Sequence, residues 1–140
     1  MVPADVTVKS FDEMDSGLGG MYVRVRAELG VSSFGMQVIR LPADSTAYPE
    51  HAHSDAPDTA LQNGHEEVYV PLSGKATLIA GDHTWDLHPG VAARVAPQQL
   101  RKIVAGPTPF EMLALGGAPG RVYEPVPFSE VGAGDAPGQQ

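Results

Sequence analysis

Glu66-Glu67-Val68-Tyr69-Val70-Pro71-Leu72-Ser73-Gly74 is the stretch that decides the fold. Its side chains alternate at period two, so Glu67 and Tyr69 share one face of a strand. Ser73-Gly74 supplies turn chemistry. Lys75 to Ala80 (KATLIA) runs back, so the two segments read as a hairpin.

Working outward, short apolar runs and turn residues keep alternating. Downstream, Gly81-Asp82 turns the chain, Thr84–Leu87 is a short strand, and Pro89-Gly90 turns it again. Val91–Val95 and Leu100–Val104 follow as strands, Gly106-Pro107 breaks the chain, and Phe110–Leu115 is the last strong strand. Upstream, Ser33–Leu41 places Phe34, Met36 and Val38 on one face and Gly35, Gln37, Ile39 and Leu41 on the other. Phe34, Met36, Val38, Phe110 and Met112 are expected in the core. Met21–Leu29 suits either a strand or a short helix, and Val6 and Val8 suit an edge strand. Residues 54–64 form a long polar loop. A strap is expected around Val122–Phe128, followed by a disordered tail over residues 132–140. The turns recur every eight to twelve residues and no run supports a helix of three turns, which argues a sandwich or barrel. Closure also removes the open edges that so many apolar strands would expose.

The chain has 140 residues, enough for one real core, and reads as a single domain over residues 1–131. Glycine and proline together supply 29 residues, scattered between strands instead of gathered in a linker. Cysteine is absent, which rules out disulfides and thiolate chemistry. Nine basic residues against 17 acidic ones give a net charge of −8, a poor match for nucleic acid or an anionic membrane. No apolar run is long enough to span a bilayer. The acidic N-terminus does not read as a signal peptide, so a cytoplasmic location is expected.

Five histidines are present, and His51 and His53 stand two apart. In extended backbone both imidazoles point to one side. A neighbouring strand that opens with Glu67 can bring a carboxylate to the same point. Two imidazoles and a carboxylate can hold Fe, Mn, Ni, Zn or Co and leave positions open for substrate. The same spacing also suits two solvated loop histidines.

From His51 to Ala105 the chain resembles the cupin superfamily. Its usual first motif, G-x5-H-x-H-x3,4-E-x6-G, is matched by His51, His53, Glu67 and Gly74. The second motif, G-x5-P-x-G-x2-H-x3-N, starts at Gly90. There are departures. Thirteen residues separate His53 from Glu67, and the first motif's glycine falls at Ser45. In the second motif the proline, glycine, histidine and asparagine fall at Ala96, Gln98, Arg101 and Ala105. The resemblance covers residues 33–117. It implies an all-β, conical cupin-type barrel (a double-stranded β-helix, or jelly roll), often dimeric, with its pocket between the sheets. It also implies His51, His53 and Glu67 as ligands of one divalent metal ion.

Arginine has no lone pair to give a metal, so Arg101 cannot stand in for the missing ligand. Two arrangements stay open. Arg101 sits beside a three-ligand metal and grips an anionic substrate or oxyanion. Alternatively it replaces the ion and pairs with Glu67 in a metal-free site. His65 is either an extra ligand or a polar spacer. Tyr69 lines the pocket as a hydrogen-bond donor or acid, or simply fills the barrel. Tyr48 could cover the pocket mouth. Trp85 is expected outside, His83 and His88 in solvent, and Glu66 away from the site. The functional expectation is a small-molecule cupin: a metal-dependent isomerase, lyase or oxygenase acting on an anionic or carbonyl-bearing substrate. The alternative is a carboxylate-binding barrel without metal. A homodimer through sheet packing is expected.

Overall fold

The computed structural model describes residues 2–53 and 64–135. Most of the loop expected at 54–64 and the end of the tail, 136–140, therefore lie outside the described residues. The strands are β1 (Ser16–Gly17), β2 (Tyr22–Val23), β3 (Gly35–Leu41), β4 (Glu66–Ser73), β5 (Ala76–Ala80), β6 (His83–Leu87), β7 (Ala93–Val95), β8 (Lys102–Ala105) and β9 (Phe110–Gly117). The one α-helix among the described residues is a single turn, α1 (Val25–Leu29). Among the described residues no helix is long and apolar enough to cross a membrane.

The strands form two sheets, one in the order β1-β2-β3-β9-β4-β7 and the other in the order β6-β5-β8. The segment that leads to His53 extends the smaller sheet. Ala105 N–H donates to Ser45 O at 3.0 Å, and His51 exchanges both backbone hydrogen bonds with Arg101 at 3.0 and 2.9 Å. This all-β architecture is a cupin-type barrel.

The inner faces supply the core: Ile39, Leu41, Tyr69, Leu78, Leu87, Ile103, Phe110 and Met112 pack together. Burying a side chain of this size contributes about 1.5–3 kcal/mol. β3 is buried on both faces. Its outer face carries Val38, which packs with Met14, Val23 and Val25 beneath the N-terminal segment. Phe34 departs from the core expected for it and is 42% exposed, because β3 starts only at Gly35. Met36 is half-buried against the same outer cluster. The Met21–Leu29 ambiguity resolves into both alternatives, a two-residue strand followed by α1. Val6 and Val8 are exposed and form no strand.

Gly74 explains a spacing in the sequence. Its φ of +75° is a left-handed conformation, and a Cβ there would stand 2.1 Å from Pro109 O. Only glycine closes the β4–β5 turn against the start of β9.

The segment after β9 crosses back over the barrel and is tied down by buried cations. Arg24 donates to Phe128 O at 2.8 Å, to Asp15 Oδ2 at 2.8 Å and to Gly134 O. Arg26 donates to Glu130 Oε1 at 2.7 Å and to Val31 O at 3.2 Å. Gly132 N–H donates to Asp15 Oδ2, and Leu18 N–H to Asp135 O. The strap expected around 122–128 is thus tethered through Asp135.

Candidate metal centre

Glu67 is the second residue of β4 and lies on the barrel's inner face. Its register neighbours are Gly116 on β9 and Val95 on β7, and Gly116 pairs in turn with Gly35 on β3. The space over these two glycines is taken by His65, against Gly116, and by the Tyr123 hydroxyl, against Gly35. The next row carries Gln37, Ala114 and Tyr69.

His51 reaches the site because its backbone bridges to Arg101, and His53 N–H is held by Pro97 O at 2.7 Å. With both backbone positions fixed, the two rings meet edge to face, 5.0 Å between centroids. His51 Nδ1 lies 2.9 Å from Pro49 O. A carbonyl only accepts, so Nδ1 carries a proton, and Nε2 is the ring nitrogen turned toward Glu67.

Everything converges on Glu67 Oε1. His53 Nε2 is 2.9 Å away, His51 Nε2 3.6 Å and Arg101 Nη1 3.5 Å, and Tyr69 O–H donates to it at 2.8 Å. Tyr48 Oη is 3.4 Å from Tyr69 Oη. Burial pushes the Glu67 carboxyl up. The hydrogen bonds and charges of His51 and His53 outweigh that and hold it ionised, well below the usual carboxylate range. Burial raises the phenols of Tyr69 and Tyr48, so both stay protonated.

The three donor atoms of His51, His53 and Glu67 lie within 4.8 Å of one another. Donors about 2.1 Å from one ion can stand at most about 4.2 Å apart. A closing movement of under about an ångström therefore satisfies one ion. Two imidazoles with a carboxylate suit a divalent transition metal, and the His51–Pro49 hydrogen bond is the outer contact that fixes a ligand's tautomer. The residues fit the group.

Beside the donors lies a cavity of about 100 Å³. Met21, Tyr22, Ile39, Val126 and Phe128 contribute its apolar wall, with His51, His53, His65 and Glu67 at one side. Arg101 and Tyr69 do not line it. Arg101 is fully buried behind Glu67, its Nη2 donating to Ala96 O at 2.8 Å, while Nε and Nη1 have no hydrogen-bond acceptor. His65 stands outside the donor group, stacked on His53 with centroids 6.2 Å apart and tilted against Tyr123 at 5.3 Å. Burial and the nearby His53 lower its pKa. Tyr48 is a core residue whose ring edges the cavity. Trp85, His83 and His88 are exposed, and Glu66 pairs with Arg94 on the outer face.

Sequence reasoning missed the wall residues Tyr22, Arg26, Gln37, Tyr123 and Phe128. Arg24 and Arg26 alternate with Val23 and Val25, a pattern that suits a strand and carries no sign that the arginines are buried. Their burial depends on Asp15, the Phe128 and Gly134 carbonyls and Glu130, most of them about a hundred residues away in the chain.

Solved structures carry the same architecture. A cupin protein from Bacteroides fragilis matches at 22% identity with a TM-score of 0.66, over 88% of this chain and 92% of that one. A cupin-superfamily sugar phosphate isomerase from Silicibacter pomeroyi matches at 18% identity and a TM-score of 0.61, over 79% of this chain and 74% of that one. KdgF from Halomonas sp. matches at 13% identity and a TM-score of 0.51, over 61% and 69%. No family model and no curated protein matches the sequence. At these identities the likeness is one of fold: the chain has the fold of a small cupin.

Proposed function

We propose that the chain is a divalent-metal-dependent enzyme acting on a small molecule inside the barrel, in an isomerase, lyase or oxygenase type of reaction. One observation carries this reading. His51, His53 and Glu67 aim three donor atoms at one point, and the proton of His51 is spent on Pro49 O. In this reading these residues hold the ion, which when bound polarises a substrate oxygen and stabilises developing negative charge. Tyr69 keeps Glu67 oriented through its 2.8 Å hydrogen bond and acts as a positioning residue, its proton already committed. Arg101 supports the carboxylate from behind the cavity and takes the same kind of role. The apolar wall excludes water from the reacting oxygen. The sugar phosphate isomerase from Silicibacter pomeroyi is consistent with small-molecule chemistry in this fold.

A second reading has one observation of its own. Arg101 Nη1 stands 3.5 Å from Glu67 Oε1, so arginine and imidazoles together could neutralise the carboxylate without metal. Elemental analysis of purified protein separates the two. The first predicts a transition metal lost on His51→Ala, and the second predicts none. The homodimer belongs to this proposal as well. Phe34, Val68 and Leu115 line an apolar recess on the outer face of the larger sheet, and sedimentation velocity tests it.

A further inference from the structure

The cavity specifies its ligand more narrowly than the metal site does. Three observations bear on it: its size, the commitments of its cations and the character of its walls.

Its volume is about 100 Å³. A cavity of about 150 Å³ takes benzene, so this one takes roughly four to six non-hydrogen atoms. That is well below the usual range for ligand pockets.

Two cations line it, Arg24 and Arg26. Each nitrogen of Arg24 already donates once, to Phe128 O, Asp15 and Gly134 O, and its guanidinium lies 4.8 Å from the centre of the Phe128 ring. Arg26 spends Nη1 on Val31 O and Nη2 on Glu130. Nε of Arg26 is buried without an acceptor, and the remaining N–H groups of the Nη nitrogens belong to guanidiniums whose charge is already paired with Asp15 and Glu130. A phosphate needs several charge-assisted donors. Both lining guanidiniums already hold the strap in place and are paired with carboxylates.

The walls are Met21, Tyr22 and Ile39 from the barrel, and Val126 and Phe128 from the strap. Phe128 packs on Tyr22 with centroids 4.8 Å apart, so strap and barrel meet as one apolar surface.

We infer that the ligand is a small, uncharged hydroxycarbonyl or carbonyl compound with an apolar body and no phosphate, its oxygens turned toward His51, His53 and Glu67. The inference rests on the functional reading above only in placing the oxygens at the metal-ligand side. It parts from the sugar phosphate named for the structurally similar protein from Silicibacter pomeroyi.

The test uses the full chain loaded with Zn(II), titrated in ligand-observed NMR with 3-hydroxybutan-2-one and, separately, with hydroxyacetone phosphate. Binding of the neutral compound at least about tenfold tighter than the phosphate is expected. Val126→Trp fills the cavity and abolishes that signal. Val126→Phe does so less completely, should the larger side chain impair folding by circular dichroism. Equal or tighter binding of the phosphate overturns the inference, as does an absent signal for the neutral compound. Zinc content is measured on the same samples. Protein that takes up no zinc yet binds the neutral compound sinks the metal reading and upholds the ligand class.

Discussion

Replacing Arg101 with methionine tests the electrostatics of the centre. The guanidinium is fully buried, stands 3.5 Å from Glu67 Oε1 and donates to Ala96 O at 2.8 Å. Removing one partner of a buried ion pair leaves the other uncompensated and costs about 3–5 kcal/mol. For a chain of this length that lowers Tm by roughly 10–15 °C. The cost has a second consequence. A dication bound by Glu67 replaces the lost positive charge, and Arg101 no longer repels it. Zinc or manganese should therefore raise the Tm of Arg101→Met more than that of the unmodified chain. Metal at a hundred times its Kd adds about 2.7 kcal/mol, a large part of the loss. Arg101→Lys, which keeps the charge, should show a smaller fall and a smaller rescue. Differential scanning fluorimetry with and without metal, after treatment with a chelator, measures all of these. An Arg101→Met variant as stable as the parent without metal would refute the ion-pair reasoning. A metal-induced rise no larger than the parent's would refute the claim that the two cations compete for one carboxylate.

Gly74→Ala forces a left-handed residue and a contact of 2.1 Å with Pro109 O, and should cost several kcal/mol, on the order of 3 or more, in urea denaturation. Phe128→Ala removes a buried ring that packs on Tyr22 and Arg24; a loss of about 3–5 kcal/mol is expected, with faster proteolysis between Gly117 and Asp135. Asp15 has its carboxyl lowered below the ordinary range, chiefly by the Gly132 N–H and further by Arg24, against a smaller opposing effect of burial. Its folded pKa lies below the unfolded one, so its stabilisation is full above about pH 4 and is lost as pH falls through the folded value. Asp15→Asn should therefore flatten the acid limb of a stability–pH curve and leave its shape above pH 5 unchanged.

The barrel was legible where a strand has one face inside and one outside. β4 and β9 follow their alternation closely, and the Glu67–Gly74 interval marks a turn that no other residue could close. The closeness of His51 and His53 was legible as well, because two residues apart on extended backbone is a local relation. The rest was not local. β3 is buried on both faces, so alternation could not say which side is the core, and Phe34 was assigned inward one residue before the strand begins. Leu100 was assigned to β8, yet it is exposed and the strand starts at Lys102. Arg24 and Arg26 carry no sign of burial until Asp15, Glu130 and the Gly134 carbonyl are brought beside them. The direction of Arg101 likewise became readable only through its backbone bridge to His51, fifty residues earlier in the chain.

Counting metal in the purified chain puts the greatest weight on the account. Inductively coupled plasma mass spectrometry should find about one transition-metal ion per chain, falling to background in His51→Ala, His53→Ala and Glu67→Gln proteins that keep the parent's circular dichroism. A chain that retains no ion after metal loading, or one whose metal content survives all three substitutions, contradicts it.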